Sequence, residues 1–211
     1  MRRFPFYICI DTSGSMRGEP IKRVYEGLTM LGSTMRQNPY LLEIAYLSII
    51  TYNVHAKETV PLTGLEEFPF TTQEFTCSGA SCLGAALEFV AQSVRRNCIR
   101  STANTKGDWE PGLLIFTDGK PSDPFAYNAM IPTILDLFHD IGVFTVGQQA
   151  DLVALKQLTD TVVPLETATT ADFYDFYKYR FYSSTALEFD SDSGLWINPC
   201  HKKKKPHGSF N

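Results

Sequence analysis

Short runs of continuously apolar residues alternate along the chain with segments of helical periodicity. The apolar runs are residues 4–10, 42–52, 112–117, 143–146 and 162–165. Helical spacing is found in residues 20–38, 83–94, 124–140 and 171–182, and Asp151 begins a shorter helix. Because fully apolar strands are typical of parallel sheets, the alternation predicts a doubly wound, Rossmann-like α/β fold. We expect a mainly parallel six-stranded sheet, helices on both faces and one antiparallel edge strand at residues 55–60.

The loop after the first apolar run has the sequence Asp11-Thr12-Ser13-Gly14-Ser15. Open α/β sheets bind ligands in loops at the carboxyl ends of their strands. Gly14 allows the backbone to curl until one carboxylate and two hydroxyls converge, and converging oxygens suit a hard cation. The alternative is a turn in which these oxygens only accept hydrogen bonds from nearby N–H groups.

Two further loops carry matching oxygen groups. Ser81 ends the turn Ser78-Gly79-Ala80-Ser81 before the helix at residue 83, and Asp118 directly follows the apolar run 112–117. Each has a second interpretation, since serine is a favoured helix N-cap and Asp118-Gly119 is a common turn dipeptide. The position of Asp118 after a buried strand, beside the first loop, favours a metal role.

This combination of loops resembles the von Willebrand factor A (VWA) domain and its metal-ion-dependent adhesion site (MIDAS). The family pattern is D-x-S-x-S, then a threonine in a second loop, then an aspartate in a third. Asp11, Ser13, Ser15 and Asp118 match this pattern, and Ser81 stands where the family usually has threonine. We therefore expect Ser13, Ser15 and Ser81 to ligate Mg²⁺ or Mn²⁺ directly. Asp11 and Asp118 would act through water or at longer range.

Four segments are similar to the bacterial tellurium-resistance, TerY-like branch of that family: residues 11–21, 36–40, 61–68 and 106–109. The resemblance implies a protein of tellurite-resistance and stress-response gene clusters, associated with a protein kinase and a protein phosphatase. Some relatives continue into a zinc-binding region. Here only Cys200, His201 and His207 stand near the end of the sequence.

The charge distribution disfavours nucleic acid as the main ligand. The net charge is −4 although Lys202–Lys205 contribute four positive charges, so the rest of the chain is more acidic than the total. Phosphate-backbone binding needs a basic face. The lysine run is either a solvated tail or a docking segment for an acidic surface or nucleic acid.

The motifs favour binding over catalysis. Aspartate-based phosphatases have a second aspartate where this chain has Ser13, and neither a P-loop nor a hydrolase elbow occurs in the sequence. We expect a non-enzymatic module that binds an acidic residue of a protein partner through MIDAS-bound Mg²⁺. The alternative is a Mg²⁺-dependent phosphotransfer-type enzyme, or a regulator acting with a kinase and a phosphatase.

The domain organisation predicted is a VWA domain at residues 1–182 and a C-terminal extension or tail at 183–211. Residues 199–211 are polar and without periodicity, so we expect them to be dispensable for folding. The start lacks signal-peptide architecture and no apolar run reaches the length of a membrane span. A cytoplasmic protein that does not enter the membrane, with its five cysteines reduced, is expected.

Overall fold

The computed structural model of the protein describes residues 2–70, 74–138, 140–147, 150–174, 188–190 and 195–197. The chain divides into two compact units, Met1–Tyr174 and Asp175–Asn211. In the second unit, β7 (Glu188–Asp190) pairs antiparallel with β8 (Leu195–Ile197). Of the predicted helix 171–182, residues 170–174 are helical and the remainder lies outside the described residues, as do Lys202–Lys205 and the rest of 198–211.

The first unit contains a six-stranded sheet in the order β3-β2-β1-β4-β5-β6. Its strands are β1 (Phe4–Asp11), β2 (Ala45–Tyr52), β3 (Ala56–Gly64), β4 (Gly112–Thr117), β5 (Asp140–Thr145) and β6 (Val162–Pro164). All neighbouring strands are parallel except β2 and β3, which form a hairpin at the edge. The predicted doubly wound fold with one antiparallel edge strand is therefore confirmed.

Helices cover both faces of this sheet. They are α1 (Glu19–Arg36), α2 (Pro39–Ile44), α3 (Leu83–Asn97), α4 (Pro124–Leu137) and α5 (Leu152–Leu155). One face packs Cys9 and Ile115 against α3 and α4 in a buried cluster that includes Leu87 and Ile134. On the other face α1 approaches so closely that a Cβ at Gly27 would lie 3.0 Å from Leu165 and 3.1 Å from Phe116.

The central strand β1 is buried along its whole length, as its apolar sequence requires. Its register with β2 sets Asp11 beside Tyr52, and its register with β4 ends at Ile10 and Phe116. Asp11 therefore lies between the last residues of the two flanking strands, Tyr52 and Thr117. This is the sheet edge at which the sequence predicts a site.

Three boundaries differ clearly from the sequence prediction. The predicted helix 124–140 ends at Leu137, and β5 begins at Asp140, not at residue 143, because it pairs with β4 from Gly112 onward. The apolar run 42–52 begins as helix, because the Asn38 side chain accepts hydrogen bonds from the N–H groups of Tyr40 (3.0 Å) and Leu41 (3.4 Å) and Pro39 starts α2. β3 continues through Pro61 to Gly64, which an edge strand tolerates because one side of its backbone needs no ladder bonds.

The described cysteines, Cys9, Cys77, Cys82 and Cys98, are free thiols, and Cys200 lies outside the described residues. Within the ranges given above, no helix combines the length and the apolar character needed to cross a bilayer.

Candidate metal centre

The first two loops are joined by their backbones. Gly14 N–H donates to the Gly79 carbonyl (2.9 Å) and Ser78 N–H donates to the Thr12 carbonyl (2.8 Å). Gly79 has φ +76, and a Cβ there would meet Val54 at 3.0 Å, so the close approach favours glycine. The Thr12 hydroxyl and N–H both donate to the Tyr52 carbonyl, at 2.8 and 2.7 Å. These bonds fix Ser13 and Ser81 relative to the sheet edge.

Asp11 is the centre of the arrangement and has no exposed surface, at 0%. Its Oδ2 accepts hydrogen bonds from Ser81 Oγ (2.6 Å), Thr117 Oγ1 (3.0 Å) and Tyr52 OH (3.2 Å). Its Oδ1 accepts one from Ser13 N–H (2.8 Å). Burial raises the pKa of Asp11, and the nearby charge of Asp118 raises it further while the hydrogen bonds oppose the shift. Every donor to this carboxylate is neutral.

The outer half of the site opens to solvent. Ser13 Oγ lies 3.1 Å from Ser15 Oγ, and the Ser15 hydroxyl donates a short hydrogen bond to the Asp118 carboxylate. Ser13 is buried, Asp118 is half-buried and Ser15 is exposed. A chain of hydrogen bonds through Ser13 therefore links the buried carboxylate of Asp11 to the accessible one of Asp118, and the structure brings all five residues predicted for the site together.

The N-cap interpretation of Ser81 is wrong for its side chain, because its hydroxyl donates to Asp11 and the cap position of α3 is Cys82. The first N–H groups of α3, at Gly84 and Ala85, instead bond to the two carboxylate oxygens of Asp123, at 3.0 and 2.9 Å. Asp123 stands at the N-cap position of α4, but its side chain makes no cap bond there. One aspartate thus holds α3 and α4 together beside the site.

Sequence reasoning missed the roles of Tyr52 and Thr117 as donors to Asp11. Both end a strand that flanks β1, and Tyr52 is the register partner of Asp11. The available signal was the pairing of strand ends, since residues that end neighbouring parallel strands meet at one edge.

The donor set fits a hard cation. Hydroxyl and carboxylate oxygens are the ligands that Mg²⁺ and Mn²⁺ prefer. A serine that donates its proton to a carboxylate keeps its lone pairs for a metal, and Ser81 is oriented in this way. In the described part of the chain no Lys, Arg or His forms an ion pair with Asp11 or Asp118. Arg17, just after the loop, donates instead to the Cys77 carbonyl (3.1 Å).

A polar cleft of ≈ 210 Å³ lies beside the first loop. Thr12 forms part of its wall, and the rest of the lining includes His55, Lys57 and Glu74 together with Asn53, Phe75 and three further threonines. The cleft places titratable side chains next to the predicted site. The sequence motifs gave no sign of this cleft.

Comparisons with known proteins give a family and a fold. The family profile for the von Willebrand factor type A domain matches residues 6–120, a range that contains all five predicted site residues. A search of curated protein sequences found no match.

Three solved structures illustrate the fold. Proximal thread matrix protein 1 from the mussel byssus has a TM-score of 0.60 and 14% identity, over 84% of this chain and 46% of that chain. A von Willebrand factor type A protein from Catenulispora acidiphila has a TM-score of 0.60 and 15% identity, over 89% and 44%. The conserved hypothetical protein BatB from Bacteroides thetaiotaomicron has a TM-score of 0.55 and 12% identity, over 86% and 99%. The chain spans less than half of the first two proteins.

Proposed function

The chain belongs to the von Willebrand factor type A domain family, and on that premise we propose that it is a metal-dependent protein-interaction module. Domains of this family are commonly protein-interaction modules. In this proposal Ser13, Ser15 and Ser81 hold Mg²⁺ or Mn²⁺ directly, and Asp11 and Asp118 balance part of its charge. Bound in this way, the cation would supply a positive charge that a carboxylate of a partner protein can reach.

The observation that carries the proposal is the environment of Asp11. Its carboxylate is fully buried and accepts four hydrogen bonds, all from neutral groups. A buried charge is costly unless it is paired or coordinates a metal. Since Ser15 is exposed, a cation bound there would be accessible from outside.

Serine hydroxyls also explain why a partner would bind. Neutral ligands reduce the charge of a divalent cation less than carboxylates do, so attraction for a further acidic group remains. The partners we propose are a protein kinase and a protein phosphatase of a tellurite-resistance gene cluster, in the cytoplasm. This step rests on the similarity of residues 11–21 and 106–109 to the TerY-like branch.

We further propose that the protein performs no chemistry of its own. The site hydroxyls of Ser15 and Ser81 donate to carboxylates, and no described histidine hydrogen-bonds to either of them. The alternative is a Mg²⁺-dependent phosphotransfer-type activity. The observation that favours this alternative is the cleft beside Thr12, because His55 and Lys57 could serve there as a base and a phosphate-binding group.

The test is co-purification of the kinase and phosphatase with wild type, Asp11→Ala and Asp118→Ala, in Mg²⁺ and in chelator. Asp160→Ala, at an exposed aspartate away from the site, is the matched control. Both site variants and chelation should abolish the complex while circular dichroism shows an intact fold, and the control should keep it. A complex that survives both substitutions and chelation would refute metal-bridged binding.

The enzymatic alternative has a separate measurement. Phosphate release from phosphorylated substrates is followed for the purified protein with and without Mg²⁺. We expect none above the rate of Asp11→Ala. A Mg²⁺-dependent rate that is lost in Asp11→Ala and in His55→Ala would establish the enzyme in place of the binding module.

A further inference from the structure

A positively charged surface lies at the amino end of the sheet, opposite the candidate metal centre. Residues 95–106 contain Arg95, Arg96, Arg100 and Lys106 and no carboxylate, in a chain with a net charge of −4. They form the last turn of α3 and the first part of the loop that leads to β4, and the rest of that loop contains Asp108 and Glu110. Arg3 and Asp11 lie at opposite ends of the eight-residue β1, so this surface is about 26 Å from the metal centre by the rise per residue of a strand.

Asp108 closes the base of this loop. Its two carboxylate oxygens accept hydrogen bonds from Arg3, at 3.0 and 2.7 Å, and Oδ2 also accepts one from Ile99 N–H (2.8 Å). In return Asp108 N–H donates to the Ile99 carbonyl (2.8 Å). With only 4% of the Asp108 side chain exposed, the loop is tied firmly to the start of β1.

The two arms of the loop are in direct contact above this base. Gly107 N–H donates to Ser101 Oγ (2.9 Å), and Thr102 N–H donates to the Thr105 carbonyl (2.9 Å). A Cβ at Gly107 would lie 2.3 Å from the Ile99 carbonyl oxygen, so only glycine fits between the arms. A long connection that is this well ordered is more often functional than a plain linker.

Arg2 also binds the loop, and it does so through uncharged groups that do not neutralise it. Its guanidinium lies 3.9 Å from the ring centre of Trp109 and donates to the carbonyls of Gly107 (2.8 Å) and Asp108 (3.0 Å). Arg96 is partly neutralised by Glu58 at 3.6 Å. In the described part of the chain Arg95, Arg100 and Lys106 form no ion pair and are exposed.

We propose that the loop and the last turn of α3 form a binding surface for an acidic segment of a protein. The backbone that carries the exposed cations is held in place before binding, so less backbone ordering entropy opposes association. Ile99, with 57% of its surface exposed, adds an apolar contact among the charges. An acidic peptide fits better than nucleic acid, because Arg2 covers a face of Trp109 that a base would need for stacking. The domain would then hold acidic groups at both ends of its sheet.

Fluorescence anisotropy with a labelled ten-residue oligoglutamate peptide tests this surface. Lys202–Lys205 also attract the probe, so every protein carries serine at these four positions. The double variant Arg100→Glu, Lys106→Glu should bind the probe at least about tenfold more weakly. The control Lys22→Glu, Lys156→Glu makes the same charge change at exposed positions elsewhere and should bind within about twofold of the parent.

The outcomes separate this surface from the metal centre. Every titration is made in chelator, because a cation at the metal centre would also attract the glutamates; binding that remains there belongs to the other end of the sheet. Gly107→Ala retains every charge but disrupts the contact between the arms, and we expect weaker binding. Equal losses in the double variant and its control, tighter binding of a ten-nucleotide single-stranded DNA, or full affinity in Gly107→Ala would each overturn the proposal.

Discussion

Two buried aspartates at opposite ends of β1 are surrounded in different ways. Asp11 accepts hydrogen bonds from three hydroxyls and one N–H group, all neutral. Asp108 accepts a bidentate pair from the guanidinium of Arg3, and that bond raises the pKa of Arg3. The charge of Asp108 is therefore balanced within the chain, whereas the charge of Asp11 is only solvated by dipoles.

The difference distinguishes a structural carboxylate from the one that we propose to bind metal. Hydrogen bonds from neutral groups orient a carboxylate and lower the cost of burying it, but they leave its net charge in place. A cation from solution can restore the balance at Asp11 and would have nothing to neutralise at Asp108. The contrast predicts which substitutions respond to divalent metal and which do not.

The largest effect is expected for Asp108→Ala. The change leaves Arg3 and the Ile99 N–H without their acceptor, and removing one partner of a buried ion pair costs about 3 kcal/mol of unfolding free energy. We expect the lower end of the usual range because 27% of the Arg3 side chain is exposed. Urea unfolding measures the loss, which should be the same in Mg²⁺ and in chelator. If Mg²⁺ restored the lost stability, the charge of Asp108 would not be balanced by Arg3 alone, and the contrast with Asp11 would be wrong.

Asp11→Asn should show the opposite behaviour. In chelator its unfolding free energy should stay within about 1 kcal/mol of wild type, because removing an uncompensated buried charge offsets the weaker hydrogen bonds. Mg²⁺ at a hundred times its dissociation constant should stabilise wild type by about 2.7 kcal/mol and the variant not at all. Thermal unfolding with and without Mg²⁺ gives both values. Asp160→Asn is the control, and a Mg²⁺ response retained in Asp11→Asn would remove Asp11 from the site.

A third aspartate, Asp123, lies between these cases. Its acceptor groups bond to the N–H groups of Gly84 and Ala85, so its charge faces the positive end of the α3 dipole. Asp123→Ala should cost about 1 kcal/mol, the usual loss of a helix cap, with the Mg²⁺ response intact. Asp123→Asn, which keeps one acceptor, should recover part of this loss in the same urea experiment. An effect of Asp123→Ala on Mg²⁺ binding would show that the cap also positions Ser81.

The parts that sequence could predict are those set by local pattern. Continuous apolar residues predicted β1 and β4, and a strand that ends in an aspartate placed Asp11 and Asp118 at one edge. The D-x-S-x-S spacing also predicted that Ser13 and Ser15 lie beside Asp11, because residues so close in one loop are neighbours whatever the rest of the fold is.

The parts that sequence could not predict depend on contacts between distant residues. The pairing of Arg3 with Asp108 joins positions 105 residues apart, and Asp123 caps a helix whose first N–H groups lie 39 and 38 residues earlier. Local propensity favours Asp123 as the N-cap of its own helix, and it offered a cap role as the second interpretation of Ser81. The hydrogen-bond partners of both side chains depend on where α3 packs, and that position is set by tertiary structure, not by local sequence.

The smallest effect is expected for Ser81→Thr, since the outcome at this position depends on the hydroxyl more than on side-chain size. Ser81→Thr keeps the hydroxyl that donates to Asp11 at 2.6 Å, so the Mg²⁺-induced rise in melting temperature should persist and stability should change by no more than about 0.5 kcal/mol. Ser81→Ala has nearly the same volume but removes a neutral donor and the proposed metal ligand together, so most of the Mg²⁺ response should be lost. Ser78→Ala, at an exposed serine in the same loop, should behave as wild type. If Ser81→Ala responds to Mg²⁺ as Ser81→Thr does, the second loop supplies no ligand, and Asp11 is balanced through the first and third loops alone.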